Sequence, residues 1–288
     1  MRTKQIRAAV PVTLLLLCLP LIVAACGGDA ADDALAATAA ERAQEILGAA
    51  PTGVAATVVE RGSMVVANDA DYAPQSSVDG STGELTGFDV DVAKRVGEIL
   101  GLEVSFKNPE WETVPAGLKQ KRFDVSVGSM PITPEYDALV DFTRPYSSTP
   151  AQLFVAKGGP QIESVDDLAR KTVGVGLATT FYDFLQQNTG AVVKAYATDT
   201  DALSDLSNGT LDFVLTAGPT GQQAILDGQP IEASGTPLFY EKLGIAVAQG
   251  ESDWVKLLDY AIAEMHRDGS LSDLSKKWYD DLDLTVGY

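Results

Sequence analysis

The sequence predicts a protein of the α/β class that is built as two lobes. From Met64 onward, short apolar runs alternate with amphipathic segments, which is the pattern of strands and helices in largely parallel sheets. The alternation starts again near Ser164, so two such series follow one another. The length from residue 61 to residue 288 is sufficient for two small lobes.

The first 25 residues have the order of a secretory signal peptide. Basic residues precede a charge-free apolar run, and small residues follow it. The length of the run alone would also suit a transmembrane anchor, which needs ~20 apolar residues. The letters LIVAACGG resemble the lipobox of bacterial lipoproteins. The resemblance implies cleavage before Cys26 and a lipid on Cys26, which would hold the chain at the extracytoplasmic face of the cell membrane. Cys18 would be removed, which leaves no thiol pair for a disulfide.

The charge of the remaining chain excludes one class of partner. Without residues 1–25 the chain keeps 18 basic and 40 acidic residues, a formal charge of −22. A protein that binds nucleic acid through its phosphates needs the opposite sign, so nucleic acid is excluded. Residues 26–61 are rich in alanine and poor in aromatics. We expect a flexible tether there, with at most a short helix over residues 39–48.

The first series contains a helix with clear boundaries. In FDVDVAKRVGEILG, residues 88–101, the apolar side chains fall on one helical face, two aspartates lie in the first turn, and Gly101 ends the helix. The other predicted elements are strands over 64–67, 102–106 and 123–127 and a short helix over 114–122.

The second series starts with a predicted capping box, in which Ser164 caps a helix and Asp167 follows three residues later. A long amphipathic helix over 252–269 and a last helix, with a second capping box from Ser270 to Asp273, end the chain. Between them, strands over 172–176, 192–196, 211–215 and 243–248 alternate with helices over 179–188, 200–209 and 219–226.

Loops at the ends of strands are the candidate binding positions. In parallel α/β sheets, ligands bind beyond the carboxyl ends of the strands, where loops meet helix N-termini. Thr179 and Thr180 open a helix after a strand, and they either cap that helix or contact a ligand. Tyr72 and Trp111 lie in loops, where aromatic side chains either cover a ligand or pack locally. The candidate loops are residues 68–76, 128–133, 177–180 and 216–220.

Residues for catalysis or metal binding are scarce. His266, the single histidine, lies late in an amphipathic helix and is interpreted as structural. No cluster of Cys and His could hold zinc, and the acidic groups lack the EF-hand pattern. The stretch GVGLAT lacks the third glycine of a dinucleotide-binding loop and the lysine of a P-loop. We therefore expect no cofactor, no metal and no catalytic residue.

Six blocks of sequence resemble one known family in order and spacing. They are VVANDADYAP, LTGFDVDVAKRVGEILGLEV, WETVPAGLKQKRFDVSVGSMPITPE, VDFTRPY, TVGVGLATT and MHRDGSLSDLSKKWY, within about residues 60–280. They resemble the family 3 extracellular solute-binding proteins, the periplasmic receptors of polar amino-acid ABC importers. The resemblance implies a two-lobed, type II periplasmic-binding-protein-like fold that closes on a ligand. It implies lobe I over 62–155 and 244–288, lobe II over 157–242, and a hinge near Phe154–Lys157 and Lys242–Ile245.

The resemblance also implies ligand contacts. Tyr72 and Trp111 match the aromatics that sandwich the ligand side chain, and Asp69 matches a position that often reaches the ligand's distal group. Ser129 matches a contact in the lobe I turn. Thr180, with the threonine before it, matches the helix N-terminus that receives the ligand carboxylate.

Three positions depart from the family's pattern. Tyr136 stands in place of the carboxylate-binding Arg, Pro131 in place of a Ser or Thr, and Ala217 in place of the Asp that pairs with the α-ammonium. A buried charge without a partner costs on the order of several kcal/mol. The sequence therefore predicts a cationic or neutral polar solute, with Asp69 or Asp89 as a source of negative charge.

The function predicted from the sequence is that of a lipid-anchored, monomeric binding protein. It would deliver a small polar solute, an amino acid or an amino-acid-like cation, to an ABC permease. An amino acid held in a shifted pose that Arg144 reaches is the alternative to the cation. An enzyme on the same fold, similar to cyclohexadienyl dehydratases or cell-wall lyases, is a second hypothesis, with Glu110, Glu112 and Glu135 as its acidic candidates. A ligand sensor with a decayed cleft is a third.

Overall fold

The structure is a computed structural model that describes residues 29–285. The predicted signal peptide and Cys26 lie outside the described residues. The helices are α1 (Asp29–Leu47), α2 (Gly53–Arg61), α3 (Phe88–Leu100), α4 (Val114–Lys119), α5 (Pro134–Asp137), α6 (Thr180–Asn188), α7 (Asp199–Ser207), α8 (Gly218–Leu226), α9 (Ser252–Asp268) and α10 (Ser270–Trp278). The strands are β1 (Ser63–Ala67), β2 (Asp71–Tyr72), β3 (Ser76–Val78), β4 (Leu85–Thr86), β5 (Glu103–Lys107), β6 (Val125–Pro131), β7 (Asp141–Phe142), β8 (Ser147–Ala156), β9 (Thr172–Gly176), β10 (Val192–Tyr196), β11 (Phe213–Ala217) and β12 (Ile231–Val247).

The main sheet consists of two parallel parts joined by two long strands. Its order is β10-β9-β11-β8-β12-β6-β1-β5, with β7 paired to β12. Strand β1 runs parallel to β5 and β6, and β9 runs parallel to β10 and β11. Between these parts β8 and β12 pair antiparallel, from Ser147 opposite Leu243 to Ala156 opposite Ile231. The α/β class and the two lobes predicted from the sequence are thereby confirmed.

Each parallel part has its own core. In lobe I, which contains β1, β5 and β6, the largest fully buried side chains are Phe88, Tyr146 and Trp254. In lobe II, which contains β9, β10 and β11, Phe213 and Leu185 lie in a separate cluster. Because the two cores do not merge, the lobes are connected mainly through the backbone of β8 and β12.

The first crossing between the lobes lies before the hinge predicted at Phe154–Lys157. Tyr146 belongs to the lobe I core, whereas Ala151 already belongs to the lobe II core. On the return strand, Phe239 packs against the lobe II core and Leu243 is buried in lobe I. Strand β8 passes through the crossing as a regular strand, so its hydrophobic pattern carries no sign of the change.

The flexible tether predicted over residues 26–61 is wrong for most of its described part. Helices α1 and α2 cover most of residues 29–61, and small apolar side chains from Ala39 onward enter the lobe I core. Ala39 and Ala43 are one helical turn apart and are 1% and 2% exposed. The backbone N–H of Val54 donates to Glu251 Oε2 at 2.7 Å, and Arg42 Nη1 donates to the Ile99 carbonyl at 2.9 Å. High alanine content here reflects close helix packing rather than disorder.

The two predicted capping boxes have different outcomes. The first is confirmed, because Ser164 caps a 3-10 helix and its backbone N–H donates to Asp167 Oδ2 at 3.0 Å. The second is wrong, because left-handed Gly269 (φ 81°) precedes α10 and Ser270 donates its N–H back to Asp268 Oδ1 at 2.9 Å. Gly269 in this conformation ends α9, and it lies directly before the first residue of α10.

Among the described helices, none has the combination of length and apolar character that crossing a bilayer requires.

The packing of α2 predicts a sharp difference between two neighbouring residues. Val58 is fully buried in the lobe I core, whereas Thr57 is exposed. We expect Val58→Asp to lower the free energy of unfolding by more than about 3 kcal/mol, because it buries an unpaired carboxylate. Thr57→Asp should stay within about 0.5 kcal/mol of wild type. Urea unfolding of the chain from residue 29 onward measures both, and equal stability of the two variants would show that α2 does not pack on lobe I.

Candidate functional site

A cleft of about 360 Å³ lies between the two lobes. Its walls come from the loops after β1, β5, β9 and β10, from the end of β6, from α5, from the first residues of α6 and α7, and from β12. This is the position expected for α/β sheets, at the carboxyl ends of the parallel strands. Of the ligand-binding residues predicted from the sequence, those that line the cleft are Asp69, Tyr72, Trp111, Ser129, Pro131, Tyr136, Thr179 and Thr180.

The loop after β1 is held by hydrogen bonds that aim Asp69 at the cleft. The backbone N–H of Ala70 donates to Asn108 Oδ1 at 3.0 Å, which fixes this loop against the loop after β5. The Asp69 side chain accepts the N–H of Asp71 at 2.9 Å. Burial and the neighbouring acids Asp71 and Glu110 together raise the pKa of Asp69, although the Asp71 hydrogen bond opposes them.

Tyr72 connects lobe I to lobe II. It belongs to the lobe I loop, but its ring packs against the lobe II core. Burial raises the pKa of its hydroxyl well above 10, and the nearby carboxylates Asp199, Glu241 and Asp89 raise it further. The hydroxyl of Thr220, at the start of α8, hydrogen-bonds to Tyr72 and also donates to Gln75 Oε1 at 3.3 Å. Tyr72 is thus a neutral aromatic wall of the cleft.

Ser129 faces the cleft with its backbone, while its hydroxyl points to the lobe I interior. Its Oγ donates to Asp89 Oδ2 at 2.8 Å, and its N–H donates to Tyr146 Oη at 3.1 Å. Tyr146 Oη in turn donates to Asp89 Oδ1 at 2.7 Å. Burial raises the pKa of Asp89 to about 7 despite these two hydrogen bonds. Asp89, predicted as a source of negative charge for the ligand, therefore supports the wall from behind and does not line the cleft.

Tyr136 spans the gap between the lobes. Trp111 Nε1 donates to Tyr136 Oη at 3.1 Å, and the two rings meet edge to face with centroids 6.2 Å apart. Tyr136 Oη donates to the carbonyl of Ala178, in lobe II, at 3.4 Å. The helix that carries Tyr136 is short and starts at Pro134, with Thr133 as its cap. Tyr136 thus supplies a ring, a hydroxyl and a contact across the cleft.

The start of α6 shows which threonine is structural. Thr179 caps the helix by accepting the Tyr182 N–H at 3.1 Å, and its hydroxyl donates to the Gly176 carbonyl at 2.8 Å. Thr180, the first residue of α6, donates its hydroxyl to Glu241 Oε1. Thr179 is therefore occupied as a cap, whereas Thr180 contacts a carboxylate that the chain itself provides.

Ala217 does not line the cleft. It is fully buried in the lobe II core at the end of β11. An acid is nevertheless present beside it, because Asp199, at the start of α7, lines the cleft beyond the neighbouring strand β9. A Cβ on Gly176 would lie 3.5 and 3.6 Å from the two carboxylate oxygens of Asp199. A Cβ at this distance would be in ordinary van der Waals contact, so the Asp199 carboxylate lies close to the end of β9.

The lining is acidic throughout. Within the part of the chain that the structure describes, no lysine or arginine lines the cleft. Burial raises the pKa of Asp199 to about 6 and that of Glu241 to about 7. The charge of Asp69 further raises the pKa of Asp199, so acids from the two lobes repel one another. The acidic lining residues are Asp69, Asp71, Glu110, Glu112, Asp199 and Glu241.

Asp199 and Glu241 were missed by the sequence reasoning. Asp199 precedes a predicted helix, and acids in a first helical turn usually serve the helix dipole. Glu241 lies in a stretch for which no element was predicted. Arg144, the candidate cation for a shifted pose, lies away from the cleft, where its N–H donates to Asp259 Oδ1 at 2.7 Å. Among the described residues no cluster of three His, Cys, Asp or Glu side chains could hold a metal ion.

Comparisons with known proteins agree with the fold. The chain is 35% identical over 237 residues to the L-cystine-binding protein TcyJ of Escherichia coli (strain K12), covering 80% of this chain and 87% of that protein. An ancestral arginine-binding protein, solved with arginine bound, superposes with a TM-score of 0.72 at 30% identity, covering 76% of this chain and 99% of that one. The ancestral amino acid-binding protein AncCDT-1, a precursor of cyclohexadienyl dehydratase, superposes with a TM-score of 0.73 at 28% identity, covering 77% and 98%.

These structural neighbours have the two-lobed, type II periplasmic-binding-protein fold, which is therefore the fold of this chain. The profile of the bacterial extracellular solute-binding proteins, family 3, matches residues 64–281, which is most of the sequence. The match starts at β1 and runs past the end of α10, so it includes both lobes and both crossing strands. This chain belongs to family 3 of the bacterial extracellular solute-binding proteins.

Proposed function

We propose that this chain captures a small cationic or neutral polar solute in the cleft and delivers it to an ABC importer. Relatives named for cystine and arginine binding support a nitrogen-containing solute of amino-acid size. The acidic lining, without a described lysine or arginine, is the observation that carries the choice of a cation. A ligand carboxylate would lie among acids and lack an ionic partner, at a cost on the order of several kcal/mol.

Aromatic side chains add to the attraction for a cation. Tyr72, Trp111 and Tyr136 line the same cleft. Contact between a cation and an aromatic face contributes ~0.5–2 kcal/mol, with the larger values at sites shielded from water. Closure of the lobes would exclude water and strengthen both this contact and the attraction to carboxylates.

The place of action follows from the family and from the N-terminus. The family is extracellular, and we propose that a lipid on Cys26 anchors a monomer to the membrane. Helix α1 starts at Asp29, so only residues 27 and 28 would separate the lipid from α1. We therefore expect lobe I to lie close to the membrane surface rather than at the end of a long tether.

An enzymatic function is the second candidate. Its support is the neighbour AncCDT-1 and the raised pKa of Glu241, about 7, which suits a general acid. The acidic cleft disfavours it, because cyclohexadienyl acids are themselves anions. Of the three acids considered from the sequence, Glu110 and Glu112 are exposed residues of the cleft lining, and Glu135 is exposed and does not line the cleft. Binding without turnover accounts for the lining better.

Pairs of ligands that differ only by the α-carboxylates, one in arginine and lysine and two in cystine, test the proposed solute class. We expect agmatine, cadaverine and cystamine to stabilise the protein, and arginine, lysine and cystine to do so less. At 100 times Kd, binding adds about 2.7 kcal/mol of stability, which corresponds to a rise in Tm of about 5–10 °C for a protein of this size. A thermal-shift titration measures this. Saturable stabilisation by the amino acids alone would refute the preference for a cation.

Variants of Tyr136 separate the ring from the hydroxyl. We expect Tyr136→Ala to weaken binding of the preferred solute about tenfold or more, because it removes an aromatic wall and the contact between the lobes. Tyr136→Phe, which keeps the ring, should cost less than tenfold. Tyr240→Ala is the control, since Tyr240 lies on β12 and is 66% exposed. Calorimetric titration measures all three, and unchanged affinity of Tyr136→Ala would exclude Tyr136 from the site.

A further inference from the structure

We propose that Glu241 determines ligand specificity, because its carboxylate occupies the start of α6 and, with Asp199, binds an ammonium group of a ligand that has no carboxylate. The inference rests on the proposed function and names the group that selects the solute. The resemblance to the family implies that the start of α6 receives the ligand's carboxylate. In this chain a carboxylate of the protein itself, that of Glu241, lies there.

The position of Glu241 on β12 places its carboxylate in the cleft. It lies on β12 opposite Thr149 of β8, in the crossing between the lobes. Its neighbours Tyr240 and Lys242 are exposed, as expected when side chains alternate along a strand, so Glu241 faces the interior. The Thr149 hydroxyl on the same face is buried and has no hydrogen-bond partner within the described residues. Glu241 therefore supplies a carboxylate to the cleft, and the Thr149 hydroxyl lies on the same face of the sheet without lining the cleft.

The contact with Thr180 shows what Glu241 replaces. Thr180 opens α6, and a helix N-terminus attracts a negative charge through its dipole and backbone N–H groups. The Thr180 hydroxyl donates to Glu241 Oε1. A ligand carboxylate would have to displace Glu241 and would meet its charge at close range, without the cation that Tyr136 replaces. The start of α6 thus selects against the α-carboxylate of an amino acid.

Asp199 supplies a second carboxylate to the cleft, beside that of Glu241. Asp199 and Glu241 both line the cleft and both act electrostatically on Tyr72, so they lie around one aromatic wall. Asp69 faces them from lobe I and acts on Asp199. A cationic group placed between these acids would be attracted to both lobes. The same cation would remove the repulsion that opposes closure, which couples binding to the approach of the lobes.

In the ligand-free cleft, Glu241 and Asp199 bind protons more readily than ordinary carboxylates do. Burial raises the pKa of Glu241 from 4.5 to about 7 and that of Asp199 from 3.8 to about 6, because each carboxylate lacks a cationic partner. Tyr72 and Tyr136 have pKa values raised above 10 and stay neutral between pH 5 and 8. A cationic ligand must therefore displace protons at low pH, and we expect its affinity to rise from pH 5 to pH 8.

Glu241→Gln tests the inference through a change in preference. We expect wild type to bind agmatine at least about tenfold more tightly than arginine, a difference of about 1.4 kcal/mol. Glu241→Gln should weaken agmatine binding about tenfold and bind arginine better than wild type does, because the start of α6 then lacks a negative charge. Asp199→Asn should weaken agmatine binding without improving arginine binding. Glu232→Gln, on the same strand but outside the cleft, is the matched control and should match wild type.

The outcomes of these titrations separate the two proposals. If wild type binds agmatine or another cation of the panel but Glu241→Gln keeps the same ratio of agmatine to arginine affinity, the role of Glu241 is wrong and the proposed function stands. If no cation or amino acid of the panel binds wild type, the proposed function and this inference both fall. Tighter binding of arginine than of agmatine by wild type would also overturn the inference.

A ligand-free measurement tests the burial of Glu241 independently. A carboxyl whose pKa is raised in the folded state binds more protons than in the unfolded state, so its contribution to stability is lost as pH rises from 5 to 8. Glu241→Gln removes this contribution, while Asp89 and Asp199 keep theirs. We expect the fall in Tm between pH 5 and pH 8 to be smaller in Glu241→Gln than in wild type, by a few degrees. An identical fall would show that Glu241 is not a buried carboxyl.

Discussion

The antiparallel pairing of β8 and β12 is the interaction on which the rest of the structure depends. It is the continuous hydrogen-bonded connection between two half-sheets that each have their own core. Two strands can bend and twist together at the crossing without breaking either core, which is the mechanical requirement for lobes that close on a ligand. The same pairing positions Glu241, since its register opposite Thr149 places one acid of β12 at the base of the cleft. The hinge and the site therefore share a strand.

Repulsion between the acids of the cleft opposes the approach of the two lobes. Asp69 belongs to lobe I, Asp199 to lobe II, and Glu241 to the strand between them. In an environment of reduced dielectric constant, like charges at these positions cost more than they would in water. Proton uptake or a bound cation relieves that cost, and both stabilise the closed arrangement. Tyr136 contributes to the same arrangement as a neutral bridge, because its hydroxyl accepts from Trp111 and donates to Ala178 across the gap.

Much of the fold could be predicted from the sequence because its signals are local. The helix over 88–101 was found from one apolar face, acids in its first turn and a terminal glycine, and α3 (Phe88–Leu100) matches it closely. The hinge could not be found this way, since β8 runs without interruption from Ser147, directly after Tyr146 of the lobe I core, into the apolar residues of the lobe II core. The alanine-rich N-terminus was misread for the opposite reason, because residues such as Ala39 and Ala43 are too small to mark a core contact unless the facing helix is known. Eight predicted site residues line the cleft, and these came from loops at strand ends and from the resemblance to the family's motifs, not from periodicity.

The acids of the site show why matching positions one by one is incomplete. The resemblance to the family implies an aspartate at the end of β11, where this chain has Ala217. Comparison at that position alone indicates that the cleft has lost its negative charge. In three dimensions the ends of β9 and β11 are adjacent, because these strands pair in parallel. Asp199, which follows β10 in the chain, lines the cleft and lies close to Gly176 at the end of β9. Asp199, after β10, thus supplies a negative charge to the cleft. Within the described residues, no lysine or arginine of the lining supplies a positive one. Acids in the cleft without a described cation support the proposal of a ligand with ammonium groups rather than a zwitterion.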